Sequence, residues 1–146
     1  MSGEPGPKPG DGGPVVLVSN RQDEPVDTEA LAALAGDVLA GEGWGDVEVS
    51  LSFVTETEIA DLHVRYMDEP GPTDVLSFPQ DEDGLLGDVV VCPAVAGRNN
   101  PADPPGELRL LVAHGVLHLL GHDHEDETDR AEMWEMQERY SGVRSP

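Results

Sequence analysis

A dense histidine segment, HGVLHLLGHDH, runs from His114 to His124 and constrains the fold more than any other stretch of the chain. His114 and His118 are four residues apart, so on a helix both imidazoles project from one face about one turn apart. Gly121 can adopt a left-handed conformation that ends this helix and turns the chain back. We therefore predict a helix that stops near Gly121, followed by a turn that brings His124 beside the first two histidines.

The same three histidines predict a zinc site. Four of the five histidines of the chain lie within this one segment. Imidazole nitrogens bind zinc at about 2.0–2.1 Å, and three protein ligands leave a fourth position open, as catalytic zinc sites do. We expect one Zn²⁺ per chain, held by His114, His118 and His124.

The residue after the first histidine indicates which reaction such a site favours. The spacing matches the metzincin motif H-E-x-x-H-x-x-G-x-x-H, but Gly115 stands where that motif has its glutamate general base. Zinc lowers the pKa of a bound water to about 7. A substrate that chiefly needs charge stabilisation, such as a phosphodiester, is therefore favoured over a peptide. His122 and Asp123 lie inside the segment, where they either assist proton transfer or only cap the loop.

The length of 146 residues is that of one domain. The single cysteine, Cys92, excludes an intrachain disulfide and a four-cysteine zinc site, and it favours a reducing compartment. The N-terminus is rich in glycine and proline and has no secretion signal. No apolar run approaches the roughly 18 residues of a membrane span. We expect a cytoplasmic protein with a disordered tail at residues 1–14 and one domain at residues 15–146.

The chain is strongly acidic, which restricts how it can bind nucleic acid. Thirty acidic residues against eight basic ones give a net charge of -22, and Lys8 is the only lysine. Proteins grip a phosphate backbone with lysine and arginine, so broad, non-specific nucleic-acid binding is not expected. The charge either keeps the protein soluble or forms an acidic patch for a basic protein partner.

Hydrophobic periodicity predicts an α+β domain. The order of elements is βαβαββαα, which indicates a small mixed sheet of about four strands packed with about four to five helices. The stretch GRNNPADPPG, rich in asparagine and proline, is predicted to be a loop. The strands are expected at Val15–Asn20, Val47–Val54, Asp74–Phe78 and Leu85–Pro93, and the helices within Asp27–Gly45, Thr55–Met67, Glu107–Leu120 and the segment that ends near Tyr140.

Three blocks of the sequence resemble the YbeY endoribonucleases, a widespread bacterial family. The histidine segment is similar to the family signature H-G-x-L-H-L-x-G-Y-D-H. PTDVLSFP (residues 72–79) and LGDVVVCP (residues 86–93) match two further blocks in the family's order. The resemblance covers about residues 15–140, which is all but the tail and the last few residues.

The resemblance implies an α+β metalloprotein that holds zinc through the residues matching the signature, His114, His118 and His124. It also implies a single-strand endoribonuclease of ribosomal RNA processing, notably of the 16S 3′ end, and of ribosome quality control. A ribosomal small-subunit protein and an Era-type GTPase are the partners that it implies.

The sequence departs from the family pattern at two places. His122 replaces the tyrosine of the signature, and Met67 stands where the family often has an arginine that is thought to hold the scissile phosphate. Arg65 lies two residues earlier, a shift of about 200° around a helix. Arg65 is therefore either a displaced phosphate ligand or an ordinary surface arginine. Arg98 and Arg109 are the other candidate cations, and His63 is expected to be an exposed helix residue.

Three functions remain open from the sequence. The first is the zinc-dependent endoribonuclease, with His114 in the metal centre and Arg65, His122 and Asp123 assisting. The second is a ribosome-assembly adaptor in which zinc only stabilises the fold, and the acidic surface suits its basic partners. The third is a metzincin-like peptidase, which has only the histidine spacing in its favour.

Overall fold

A four-stranded mixed sheet forms the centre of the structure, a computed structural model that describes residues 8–9, 12–82, 84–122 and 127–143. Its strands are β3 (Val15–Asn20), β4 (Glu48–Phe53), β5 (Val75–Glu82) and β6 (Leu85–Val91). The strand order is β3-β4-β6-β5, with β3 and β4 parallel, β4 and β6 parallel, and β5 antiparallel to β6.

Two very short strands near the N-terminus also pair. Strands β1 (Lys8–Pro9) and β2 (Gly12–Gly13) form a two-residue parallel ladder within the predicted tail. The remaining tail residues, 1–7 and 10–11, lie outside the described ranges, so the disorder that we predict there stays a prediction.

Five helices flank the central sheet. They are α1 (Thr28–Gly41), α2 (Glu56–Met67), α3 (Pro93–Asn99), α4 (Pro104–Leu119) and α5 (Glu127–Ser141). Local sequence explains where two of them begin: the carboxylate of Asp27 accepts the Ala30 amide, and the hydroxyl of Thr55 accepts the Glu58 amide. The Thr55–Glu58 pair matches the sequence pattern of a capping box, and the Thr55 bond is one half of that motif.

The sheet separates two hydrophobic clusters. On one face, alternate residues of β4 and β6, such as Leu51 and Val89, pack with α1, α4 and α5 in the main core. On the other face, Val90 and Leu76 pack against Ile59 of α2 in a smaller cluster. Helix α4 contacts both the sheet, at β5 and β6, and the helices α1, α3 and α5.

The single α+β domain with a small mixed sheet is confirmed, and two local predictions are wrong. The predicted loop GRNNPADPPG instead contains the end of α3 and the first turn of α4. Pro93 supplies a favourable first helical residue to α3, and Val95 and Ala96 are buried by packing. Strand β5 does not stop before Pro79, because it is an edge strand, where a proline is tolerated.

The only cysteine lies between β6 and α3 and is buried. Cys92 is 0% exposed, and burial raises the pKa of its thiol above the ordinary value. The reactive thiolate is therefore disfavoured in the folded protein. We expect an alkylating reagent to leave Cys92 unmodified under native conditions and to modify it fully in denaturant, as measured by intact mass. Rapid modification of the native protein would contradict this burial.

Candidate metal centre

Two half-buried histidines interrupt an otherwise buried stretch of helix α4. From Leu111 to Leu119, every residue of α4 is buried except His114 and His118, which are half-buried. Their ring centroids lie 4.7 Å apart with the planes at 72°. The predicted geometry is confirmed for this pair, because both rings lie together on one face of the helix.

Helix α4 ends as the glycine predicts. Gly121 has a φ of 100°, its amide donates to the carbonyl of His118, and the next amide, of His122, donates to the carbonyl of Leu117. These two bonds form a Schellman motif, which needs a left-handed residue at the glycine position. The chain therefore turns away from the helix axis at Gly121, directly after the cap residue Leu120.

His124 and Asp123 lie outside the described residues, so their predicted roles stay predictions. Among the residues that the structure does describe, no group of three histidine, cysteine, aspartate or glutamate side chains is placed to hold a metal. The described part of the site thus consists of the His114–His118 pair, and the third ligand comes from the sequence pattern alone.

A buried glutamine on α5 contacts the first histidine. The amide oxygen Oε1 of Gln137 accepts a hydrogen bond from Nδ1 of His114. Gln137 is only 3% exposed. On the same helix, the ring of Trp134 lies edge-on to His114, with centroids 6.3 Å apart. Helix α5 therefore supplies the wall against which the imidazole of His114 packs.

Gly115 allows α4 to lie directly against the sheet. A Cβ atom at this position would be 2.6 Å from Cγ1 of Val89 and 3.3 Å from Oγ of Ser77. The hydroxyl of Ser77 also donates to the carbonyl of Gly115, at 3.1 Å. The site that a metzincin gives to its glutamate is thus filled here by strands β5 and β6, so a side chain at 115 would point into the core.

His122, the departure from the family signature, faces the end of α1. Its Nε2 lies 3.9 Å from Oε1 of Glu42, and the other oxygen of that carboxylate accepts a 2.6 Å hydrogen bond from the hydroxyl of Tyr140. Burial, followed by the bond to Glu42, raises the pKa of the Tyr140 phenol. Glu42 therefore lies between the turn after α4 and the end of α5.

A groove of about 490 Å³ runs along strand β5 beside α2. Ser77 of β5 lines it and bonds to the carbonyl of Gly115, so this edge strand lies between the groove and helix α4. Its wall includes an aromatic pair, exposed Tyr66 and half-buried Phe78, whose ring centroids are 5.4 Å apart. The lining residues are Arg21, Ser52, Leu62, Tyr66, Met67, Ser77, Phe78, Pro79, Gln80, Asp88 and Val90.

The candidate arginines are placed differently from one another. Arg65 is on the solvent face of α2, 60% exposed, and pairs with Asp61 at 2.6 Å. Met67, at the family's arginine position, lines the groove. Arg98 pairs with Glu56 on the surface. Arg109 donates to the carbonyl of Ser141 at the end of α5. The role that we predict for Arg65 is tested by none of these contacts and stays a prediction.

Sequence reasoning overlooked Arg21, which is the arginine that lines the groove. Its guanidinium is held by the carboxylate of Glu58, at 2.6 Å, and by Oγ of Ser19. The bond to Glu58 raises the pKa of Arg21, so its charge is retained at neutral pH. No local pattern distinguishes Arg21, because only the folding of β3 beside α2 brings it to the groove.

A second cavity, of about 450 Å³, is remote from the histidines. It is lined mainly by apolar residues at the start of α1 and α4, among them Leu31, Pro105 and Leu108. Along α4, Leu108 and His118 are about 15 Å apart at 1.5 Å per residue. We therefore assign the site chemistry to the histidine pair.

Comparisons with known proteins agree with this arrangement. The sequence profile of the family described as Endoribonuclease YbeY matches residues 17–142. The chain belongs to the YbeY endoribonuclease family. It is 46% identical to the Endoribonuclease YbeY of Thermobifida fusca over 137 residues, covering 82% of this chain and 87% of the relative. The Streptomyces coelicolor protein of the same name is 41% identical, covering 82% and 84%.

A solved structure shows the same fold. The solution structure of TM1509 from Thermotoga maritima superimposes with a TM-score of 0.63 at 32% identity, and the match covers 86% of each chain. As for membrane insertion, none of the helices in the described ranges is both long and apolar enough to cross a bilayer.

The YbeY residues described here fit a zinc ion. His114 and His118 offer nitrogen ligands, and the Gln137 bond occupies Nδ1 of His114, which leaves Nε2 as its lone-pair nitrogen. Gln137 was missed by sequence reasoning. The only sequence signal for Gln137 is its spacing, four positions after Met133 and four before Ser141, which are both buried. Its partner, His114, is shown only by the tertiary contact.

Replacing Gly115 with alanine tests the close packing of α4. The added methyl group would overlap Val89, so we expect a loss of about 1–3 kcal/mol in the free energy of unfolding, typical of an overpacked core. The control is Gly36→Ala in α1, where no atom lies within 4 Å of the added Cβ. There the better helix propensity of alanine should stabilise by roughly 0.5–1 kcal/mol. Equal stability changes in denaturant titrations of the two variants would contradict the packing.

Proposed function

We propose that this YbeY protein is a zinc-dependent endoribonuclease that cleaves single-stranded RNA in ribosomal RNA processing, including maturation of the 16S 3′ end, and in ribosome quality control. Family membership supports the RNA-cleaving activity. The observation that carries the metal dependence is the half-buried His114–His118 pair on a helix that is buried around it.

The metal would be held by His114, His118 and, by the sequence pattern, His124, with one ion per chain. When bound, zinc supplies a Lewis acid and lowers the pKa of water to about 7. The protein side chains then have to hold the RNA, take up the developing charge and move protons. Because Gly115 offers no carboxylate and faces the core, proton transfer falls to other groups, and His122 and Asp123 are our candidates.

The charge on the scissile phosphate needs a cation, and Arg65 and Arg21 are our two candidates. Arg65 comes from the family pattern and pairs with Asp61, and Arg21 pairs with Glu58, so either must exchange a carboxylate for the phosphate. Of the two, Arg21 lines the groove along β5. A cation placed where charge develops stabilises a transition state most strongly. The placement in the groove favours Arg21 as the phosphate ligand.

Stacking of RNA bases on an aromatic side chain supplies binding energy that the acidic net charge does not. A net charge of -22 repels a phosphate backbone. Tyr66 is 61% exposed at the groove wall, and unstacked bases of single-stranded RNA bind such aromatic faces. The acidic surface suits basic ribosomal proteins, which supports the small-subunit protein as a partner. The Era-type GTPase stays a proposal that the family resemblance alone supports.

A ribosome-assembly adaptor is the second candidate function. The observation that favours it is the engagement of Arg65, Arg98 and Arg109 in contacts within the protein. In this case zinc stabilises the fold, and its removal lowers the melting temperature and ribosome association with no loss of catalysis. The peptidase is the third candidate, and peptide turnover that is sensitive to chelator and lost in His118→Ala would support it.

Removing a ligand of the proposed metal centre is the first test. We expect His114→Ala to lose both zinc, measured by elemental analysis, and cleavage of a single-stranded RNA that spans the 16S 3′ end. His63→Ala is the matched control, because His63 is the histidine outside the segment and bonds to the carbonyl of Gly71. It should retain zinc and cleavage.

Three results would contradict this proposal in whole or in part. Equal cleavage by His114→Ala and wild type would point to a contaminating nuclease. A zinc-loaded wild type that cuts no RNA, but binds ribosomes only with zinc, would establish the adaptor. Normal 16S 3′ ends in cells lacking the protein would remove that step from the proposal.

The two arginines are distinguished by single substitutions. We expect Arg21→Ala to lower kcat/KM for RNA by about 100-fold, as loss of a transition-state charge contact does, and Arg65→Ala to lower it much less. Arg98→Ala, which also breaks an exposed ion pair, is the control and should remain close to wild type. A larger loss in Arg65→Ala than in Arg21→Ala would instead restore the phosphate role to Arg65.

A further inference from the structure

Helix α5 presents one buried stripe, and its central residue is polar. Met133, Gln137 and Ser141 are the buried residues of this helix, four positions apart. A buried amide is unfavourable unless it is hydrogen-bonded, and an apolar residue such as Met133 would satisfy the packing alone. The glutamine must therefore be explained by its partner, the imidazole of His114.

The direction of this hydrogen bond fixes the state of the ring. The amide oxygen Oε1 only accepts, so Nδ1 of His114 must carry the proton. In a neutral imidazole the other nitrogen, Nε2, then carries the lone pair. It lies on the side of the ring away from Gln137, and the ring of His118 is a direct neighbour on α4, with centroids 4.7 Å apart.

We propose that Gln137 is a positioning residue of the metal centre, which selects the Nδ1–H tautomer of His114 and orients Nε2 as a metal ligand. This inference rests on the proposed zinc site. Partners of this kind fix the orientation of a metal-binding histidine and strengthen it as a ligand. The structure supplies that partner from a helix outside the histidine segment.

Contacts at its C-terminal end hold α5, and so Gln137, in place. Arg109 of α4 donates to the carbonyl of Ser141 at 3.0 Å, and Tyr140 donates to Glu42 at the end of α1. The hydroxyl of Ser141 in turn donates to the backbone carbonyl of Gln137 at 2.6 Å. The amide that contacts His114 therefore belongs to a helix anchored to both α1 and α4.

Two substitutions at position 137 separate orientation from packing. Gln137→Met keeps a similar length and volume but removes the carbonyl acceptor. Gln137→Glu keeps an acceptor oxygen in the same place. Met133→Leu is the matched control, because Met133 is fully buried one turn earlier on the same stripe. All are full-length chains, compared after thermal unfolding confirms that they are folded.

The first measurement is the tautomer of His114 in the metal-free protein, from long-range ¹H–¹⁵N correlation spectra at a pH where the imidazoles are neutral. We expect the proton on Nδ1 in wild type, Gln137→Glu and Met133→Leu. In Gln137→Met, we expect the Nε2–H form, which free imidazole side chains prefer, to be populated. A purely structural role for Gln137 would not move this signal.

The second measurement is zinc affinity by competition with a chromogenic chelator at fixed pH. Gln137→Met should bind zinc about 10- to 100-fold more weakly, as loss of such a partner typically does, while Gln137→Glu and Met133→Leu stay near wild type. A folded Gln137→Met with unchanged affinity, or a wild-type proton on Nε2, overturns this inference and leaves the endoribonuclease proposal standing. A wild type that binds no zinc overturns both.

Discussion

The direct contact between helix α4 and the sheet at Gly115 is the constraint on which the site depends. Because a hydrogen replaces a side chain there, the helix backbone approaches Val89 and Ser77 closely enough for a hydroxyl–carbonyl bond. This approach buries the helix around its two histidines. With one face of α4 against the strands, the histidine face must point toward α5.

The partners of the His114 imidazole follow from that orientation of α4. An imidazole half-buried between helices needs a defined partner for each nitrogen, since an unsatisfied buried polar group is costly. Helix α5 provides an acceptor for Nδ1 through Gln137 and an aromatic wall through Trp134. The remaining nitrogen then carries the lone pair with which a histidine binds a metal. The metal centre of this YbeY protein is therefore built by two helices, although its sequence motif lies on one.

Most of the fold could be predicted because its elements have strong local signals. Strand β4 alternates buried and half-buried residues along its whole length, and Thr55 and Gly121 mark helix ends by specific hydrogen bonds. The errors came where tertiary packing overrides weak local signals. Helix α3, with Gly97 and Asn99 among its seven residues, is stabilised by burial of Val95 and Ala96 rather than by propensity.

The candidate site likewise has a part that local sequence predicts and a part that only tertiary packing creates. Spacing alone determined that His114 and His118 share a helix face and that the chain turns at Gly121, because both follow from local backbone geometry. Only the tertiary structure decided that position 115 faces the core, that Gln137 meets His114, and that Arg21 lines the groove while Arg65 faces solvent. Such contacts join residues far apart in the chain, and no local pattern encodes which distant side chain will meet them.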